Sequence, residues 1–168
     1  MAMLKVLNGK GKYHDLGARE DVANYMFNSS KMLSGYRGGI AVTEDFLGSM
    51  NQIATKFDKT TGVQLRHFVL SFTPDELNDP EEVNKIACHI TRFIGKDYQA
   101  VFSVHENTEN LHIHFMFNAI SYRDGHRYRG TKKEYYDLIN FIKSALRQYY
   151  GLNLMTVSNQ SDRDIQGK

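Results

Sequence analysis

Three histidines lie close together in the segment VHENTENLHIHFMFN, which spans residues 104–118. His112 and His114 alternate within a run that has the two-residue period of a β-strand, so both imidazole rings lie on one face of that strand. The opposite face is apolar and carries Leu111, Ile113, Phe115 and Phe117. Two imidazoles on the polar face of such a strand are candidate ligands for a metal ion.

His105 supplies the third imidazole. If residues 106–110 connect two antiparallel strands, the chain brings His105 back beside His112, and the three rings converge. Three imidazoles leave coordination positions open for water or a substrate oxygen, and imidazole binds several divalent metals. A lone histidine on a strand is usually structural, but three that meet at one point favour a metal site.

Two helices have clear start and stop signals. One begins after an N-cap at Asp79, with proline at its first position, and ends at Gly95. The other begins at Thr131, which forms a capping-box pattern with Glu134, and ends at Gly151. Both are amphipathic, so each needs a sheet or another helix to cover one face.

The remaining elements have weaker signals. Strand patterns cover 67–72, 99–104 and 111–120, and helical patterns cover 19–28 and 43–57. Asp124-Gly125 is typical of a tight turn. We therefore predict an α+β fold, with a central and mainly antiparallel β-sheet flanked by α-helices in a two-layer or three-layer sandwich. Residues 1–168 are expected to form a single domain.

Composition gives only broad limits. The 168 residues carry a net charge of +2 and one cysteine, Cys88. That charge is too small to indicate nucleic-acid binding by itself. The single cysteine cannot form an internal disulfide, and no N-terminal apolar segment predicts a signal peptide or membrane insertion. We expect a cytoplasmic protein.

Basic residues are concentrated in the segment 123–133, with Tyr122 directly before it and Tyr128 within it. The candidates for contact with DNA here are Arg123, Arg127, Arg129 and Lys132, and Lys31 is a further candidate. Cations neutralise phosphates, while aromatic rings stack on unpaired bases. A solvated hairpin is the alternative, and the nearby histidine motif favours the DNA-binding interpretation.

The histidine motif resembles that of the relaxases and mobilisation nucleases of the HUH endonuclease class, in particular the P-type mobilisation proteins. The resemblance is carried by His105, Thr108, Asn110, Leu111, His112, Ile113, His114 and Asn118. Further landmarks are the segments 25–31 and 71–72, the Asp124-Gly125 turn, and residues 150–152. Asn107 departs from the family, because many relatives place there an aspartate that can orient a histidine ligand. Glu106 or Glu109 could take over that role.

The resemblance implies a metal-dependent, site-specific and strand-specific single-strand endonuclease. Its nucleophile would be Tyr25, with Tyr13 and Tyr36 as fallback candidates. Attack at a transfer origin would form a covalent 5′-phosphotyrosyl intermediate that can religate. A phenol is a poor nucleophile at neutral pH, so it needs a base or stabilisation of the phenolate. Mn²⁺ or Mg²⁺ is the expected cofactor, and Glu76 is a possible general base.

The implied partners are single-stranded or hairpin origin-of-transfer DNA, accessory relaxosome proteins and a type IV secretion coupling protein. Three alternatives stay open. The chain could be a replication-initiator or transposase nuclease, although those relatives usually carry their tyrosine after the histidines, whereas Tyr25 precedes them. It could also be a non-catalytic metal-binding protein, or an origin-DNA-binding protein without cleavage activity.

Overall fold

The computed structural model describes residues 1–7, 13–28 and 30–157. In chain order the elements are β1 (Ala2–Leu7), α1 (Ala18–Met26), β2 (Met32–Ile40), α2 (Phe46–Lys56), β3 (Leu65–Ser71), α3 (Pro80–Ile94), β4 (Ala100–His105), β5 (His112–Asn118), α4 (Lys132–Tyr150) and β6 (Leu154–Thr156). Each helix and strand that the sequence pattern predicts is present. The pattern did not predict β1, β2 or β6.

The six strands form one sheet in the order β2-β4-β5-β3-β1-β6. All neighbouring pairs are antiparallel except β1 and β6, which are parallel. The predicted α+β fold with a mainly antiparallel sheet is therefore confirmed. The two strands of the histidine motif, β4 and β5, lie side by side near the middle of the sheet.

Helices cover both faces of the sheet, which makes three layers. One face packs against α3 and α4 around a large apolar core that includes Phe68, Phe102, Phe115 and Ile142. The other face packs against α1 and α2 in a smaller core around Met26, Met50, Val101 and Met116. Because side chains alternate along a strand, the histidines of β4 and β5 share the face covered by α1 and α2.

The predicted helix ends are observed. The Asp79 side chain accepts a hydrogen bond from the backbone N–H of Glu81 at the start of α3. At the start of α4 both bonds of the Thr131–Glu134 capping box are present. Gly151 ends α4 with a φ of 66°, a left-handed conformation that costs glycine little.

A buried polar network holds α1 and α2 against the sheet. Arg19, on α1, is 0% exposed and donates to the side-chain oxygens of Asn51 (2.9 Å) and Asn118 (2.7 Å). Burial, together with the charge of Arg127, lowers the pKa of Arg19 to about 10. Asn118 in turn donates to Gln99 at 2.9 Å. The network ties the first turn of α1 to the last residue of β5.

The Asp124-Gly125 segment forms the expected turn. Gly125 has a φ of 77°, and its N–H donates to the Ser121 carbonyl. An antiparallel bridge joins Ile120 to Arg127 across the turn. Within the described residues, no helix is both long enough and apolar enough to cross a membrane.

Candidate metal and nucleophile site

The three motif histidines come together as their spacing predicts. His105 and His112 are directly paired residues of β4 and β5, and His114 lies two residues along the same face. One nitrogen from each ring can be chosen so that all three lie within 4.8 Å of one another. Three ligand atoms this close to one another could hold one metal ion.

In two of these rings, a hydrogen bond to a backbone carbonyl determines which nitrogen carries the proton. His112 Nδ1 lies 3.0 Å from the Asn110 carbonyl, and His105 Nε2 lies 2.6 Å from the Met26 carbonyl. A carbonyl only accepts, so both nitrogens carry a proton and the other nitrogen of each ring keeps its lone pair. His105 Nδ1 is buried and has no hydrogen-bond partner among the described residues. An orphaned lone pair of this kind fits a metal ligand.

The third ring, His114, contacts a fourth histidine. His114 Nδ1 lies 3.0 Å from Nε2 of His67 on β3, and the Tyr13 hydroxyl lies 3.3 Å from His67 Nδ1. Burial, with the neighbouring histidines, lowers the pKa of His114 to about 2, and burial with His105 lowers that of His67 to about 4. Both rings are therefore neutral at physiological pH, the form that binds metals.

Tyr25 lies beside the histidines. Its ring centroid is 5.2 Å from that of His114 and 6.1 Å from that of His105. The side chain is 44% exposed, so a large substrate can reach it. Lys31 Nζ lies 4.2 Å from the centre of the Tyr25 ring, which brings a positive charge to the tyrosine.

The two fallback tyrosines lie in different places. Tyr13 contacts His67, and burial raises its pKa above the usual value, which disfavours the phenolate. Tyr36 packs against the core on the opposite face of the sheet. Of the three tyrosines, Tyr25 alone combines exposure with ring contacts to two of the motif histidines.

Glu76 is engaged with other groups. Its carboxylate accepts hydrogen bonds from the N–H and hydroxyl of Thr73 and forms an ion pair with the amino group of Met1. Burial opposes ionisation of this carboxyl, but these bonds outweigh it and lower the pKa of Glu76 below its usual value. A carboxylate with a lowered pKa is a weak proton acceptor.

The basic segment lies away from the histidines. It follows Asn118, at the opposite end of β5 from His112, and the six-residue advance corresponds to roughly 20 Å. Arg123 donates to the Lys96 carbonyl and lies 3.7 Å from Asp97. Three further basic candidates lie in the same segment, Arg127, Arg129 and Lys132. Of the candidate DNA contacts, Lys31 is the one that the structure places at the histidines.

The groups that orient the histidines were not identified from the sequence. They are the carbonyls of Met26 and Asn110, the Ser103 hydroxyl and the side chain of His67. Glu106 and Glu109 are exposed. Strand alternation could have pointed to His67, since it lies on the same face of the sheet as His114. Its partner depends on the pairing of β3 with β5, which a local pattern does not give.

Comparison with known proteins identifies a family that this chain matches. The family model for the MobA/VirD2-like relaxase nuclease domain matches residues 25–152, from the tyrosine beside the histidines to two residues past the end of α4. The group II intron-interrupted relaxase LtrB of Lactococcus lactis subsp. cremoris is 26% identical over 109 residues, which are 64% of this chain and 19% of LtrB.

Two further relatives match over shorter stretches. Protein rlx of Staphylococcus aureus is 27% identical over 82 residues, 49% of this chain and 24% of rlx. Protein MobA of Acidithiobacillus ferrooxidans is 35% identical over 57 residues, 33% of this chain and 14% of MobA. The matches thus span less than a quarter of each relative. Because the family model covers most of the chain, the protein belongs to the MobA/VirD2-like relaxase nuclease-domain family.

Proposed function

We propose that this chain is a single relaxase domain that nicks one strand of DNA at a transfer origin. In this proposal Tyr25 attacks the scissile phosphate, forms a 5′-phosphotyrosyl intermediate, and later allows the strand to be religated. The observation that carries the proposal is the position of Tyr25, an exposed tyrosine whose ring contacts two histidines of the triad and has a lysine ammonium over it.

The metal site in this proposal consists of His105, His112 and His114. A bound divalent ion supplies positive charge that neutralises the scissile phosphate. His105 Nδ1 and the Nε2 atoms of the other two rings would hold the ion, since the opposite nitrogens contact Met26, Asn110 and His67. Of the two expected metals, Mn²⁺ and Mg²⁺, the all-nitrogen donor set favours Mn²⁺, because Mg²⁺ prefers oxygen ligands.

The chemical step is a transesterification. The phenolic oxygen of Tyr25 forms a bond to phosphorus, and the bond from phosphorus to the 3′ oxygen breaks. That oxygen takes a proton from solvent and leaves as a 3′-hydroxyl. The phenolic proton passes to solvent at the exposed side of the ring, and we assign no role as base to Glu76. Lys31 stabilises the negative charge on the phenolate and on the phosphate. Religation is the reverse of these steps and needs no water.

DNA binding in this proposal involves both ends of β5. Lys31 contacts the phosphate that is cut, while Arg123, Arg127, Arg129 and Lys132 bind the DNA farther along. The family implies single-stranded or hairpin origin DNA as the substrate. It also implies accessory relaxosome proteins and a type IV secretion coupling protein as partners, in the cytoplasm of the donor cell.

A covalent-adduct assay tests the proposal. The protein is incubated with Mn²⁺ and labelled single-stranded oligonucleotides that cover candidate transfer origins, and denaturing gels are examined for protein-linked DNA. We expect an adduct from wild type and from Tyr149→Phe, an exposed tyrosine on α4, but none from Tyr25→Phe or His112→Ala. An adduct that persists in Tyr25→Phe would assign the nucleophile elsewhere. Strand cleavage without any adduct would contradict tyrosine catalysis.

A further inference from the structure

A fourth histidine and a second tyrosine lie behind the metal site. His67 is on β3, in the strand next to β5, and its ring centroid lies 5.3 Å from that of His114. Its side chain is 4% exposed, as is that of His114. The Tyr13 hydroxyl lies beyond it, 3.3 Å from His67 Nδ1. The catalytic steps proposed above use neither His67 nor Tyr13.

The proton positions in this series follow from the ligand role of His114. If its Nε2 binds a metal, Nε2 must be unprotonated, and the proton of the neutral ring lies on Nδ1. That N–H donates to His67 Nε2, at 3.0 Å. His67 Nε2 must then be an acceptor, so the proton of this ring lies on Nδ1 and is donated to the Tyr13 oxygen. Each hydrogen bond fixes the next.

We propose that His67 and Tyr13 are positioning residues that hold His114 in its metal-binding tautomer and ring orientation. This inference rests on the proposed metal site. Outer partners of this kind usually change metal affinity by 10–100-fold when they are removed. Carboxylates commonly fill this role, whereas both groups here are neutral. His67 and Tyr13 therefore do not offset the positive charge that a bound ion would bring, and this charge would remain available to the DNA phosphate.

The charge of the outer shell gives the inference a distinctive test. Glutamine places an amide oxygen close to where His67 Nε2 lies, so His67→Gln preserves a neutral acceptor for His114. His67→Glu supplies a charged acceptor at the same place and makes the His114 ring a stronger ligand. His67→Phe keeps a planar ring of similar size but removes the acceptor. A merely structural role for His67 would not produce an order of affinities set by acceptor charge.

The measurement is the Mn²⁺ dissociation constant of the purified chain, obtained by counting free Mn²⁺ with electron paramagnetic resonance. We expect His67→Phe to weaken binding by 10–100-fold, His67→Gln to stay within about threefold of wild type, and His67→Glu to bind more tightly. His89→Phe, which changes a histidine of α3 that stacks on Phe141, is the matched control and keeps the wild-type affinity. Thermal unfolding of each variant without metal identifies any that fails to fold.

Tyr13 is tested in combination with His67. Tyr13→Phe should weaken Mn²⁺ binding by about threefold in wild type and have no effect in His67→Phe, because Tyr13 acts through that ring. Nitrogen-15 spectra of the metal-free protein should show His114 protonated on Nδ1 in wild type and lose this preference in His67→Phe. His67→Phe that folds and binds Mn²⁺ as tightly as wild type overturns the inference while leaving the metal site in place. If wild type binds no Mn²⁺, the inference and the proposed metal site both fail. The role of Tyr25 as nucleophile is tested independently by the covalent-adduct assay.

Discussion

Replacement of Asn118 by leucine should destabilise the fold strongly, because this side chain makes four buried hydrogen bonds. Its oxygen accepts from Arg19 at 2.7 Å and from the Ile120 N–H at 3.1 Å. Its amide donates to Gln99 at 2.9 Å and to the Met50 carbonyl at 3.2 Å. Leucine has a similar size but can make none of these bonds, so the partners lose them without gaining access to water.

The expected cost can be estimated from the partners that are left. The Arg19 guanidinium is charged and keeps its bond to Asn51, so loss of the second bond costs about 2 kcal/mol. The Ile120 N–H and the Gln99 amide oxygen cost about 1 kcal/mol each when they are left unpaired. The Met50 carbonyl adds little, because it lies within α2, where a helical N–H can pair with it. We therefore expect the free energy of unfolding to fall by about 4 kcal/mol, a large part of the stability of a typical domain.

Urea unfolding of the metal-free protein, followed by circular dichroism, measures this change. Asn140→Leu is the matched control, since Asn140 is exposed on α4 and its replacement should change stability by less than about 0.5 kcal/mol. Asn118→Asp should lose less than Asn118→Leu, because a carboxylate still accepts from Arg19 and supplies a counter-charge. A loss below about 1 kcal/mol in Asn118→Leu would refute the reasoning that the partners of Asn118 lose buried hydrogen bonds that nothing replaces.

Three further predictions concern charge. Lys31→Gln should slow adduct formation about tenfold in single-turnover assays while changing Mn²⁺ affinity little, because the ammonium 4.2 Å from the Tyr25 ring is lost. An unchanged rate of adduct formation would contradict the role of Lys31. Competition titrations should give Zn²⁺ and Ni²⁺ tighter binding than Mn²⁺, and Mn²⁺ tighter than Mg²⁺; equal Mg²⁺ and Mn²⁺ affinities argue against imidazole ligation. Burial, reinforced by Glu134, raises the pKa of Tyr128. Above pH 10 the unfolded state therefore loses a proton from this phenol that the native state keeps. The free energy of unfolding should fall as the pH rises above 10. Urea titrations at pH 9 and 11 should show a smaller fall in the free energy of unfolding for Tyr128→Phe than for Tyr149→Phe, the exposed control. Equal falls would contradict the contribution assigned to Tyr128.

Local signals predicted the elements that carry their own end markers or a continuous apolar run. The helices α3 and α4 have caps and amphipathic stripes, and β3 to β5 have buried apolar residues at strand spacing. Strand β2 was missed because MLSGYRGGI has three glycines and little alternation. Its pairing with β4 explains one glycine, since a Cβ at Gly38 would lie 2.7 Å from the Phe102 ring. That requirement depends on a contact that is distant in sequence.

The same distinction applies to the site. The three histidines could be predicted because two share a strand and the third is one loop away. His67 and Tyr13 could not be assigned a role, because their contacts depend on how β3 pairs with β5 and on the loop before α1. Closeness in sequence also differs from closeness in space. The basic segment follows the histidine strand directly, yet the length of β5 separates it from the histidines.

The helix α1 connects the stability of the fold to the proposed chemistry. Its first turn is held to β5 by the bond from Arg19 to Asn118, and its last turn carries Tyr25 and the Met26 carbonyl. That carbonyl accepts the proton of His105, so one helix end positions both the candidate nucleophile and a candidate metal ligand. A shift of α1 would therefore move the two together. For this reason Asn118 variants that still fold should form the adduct more slowly and bind Mn²⁺ more weakly in parallel, whereas Lys31 variants should form the adduct more slowly without a change in Mn²⁺ affinity.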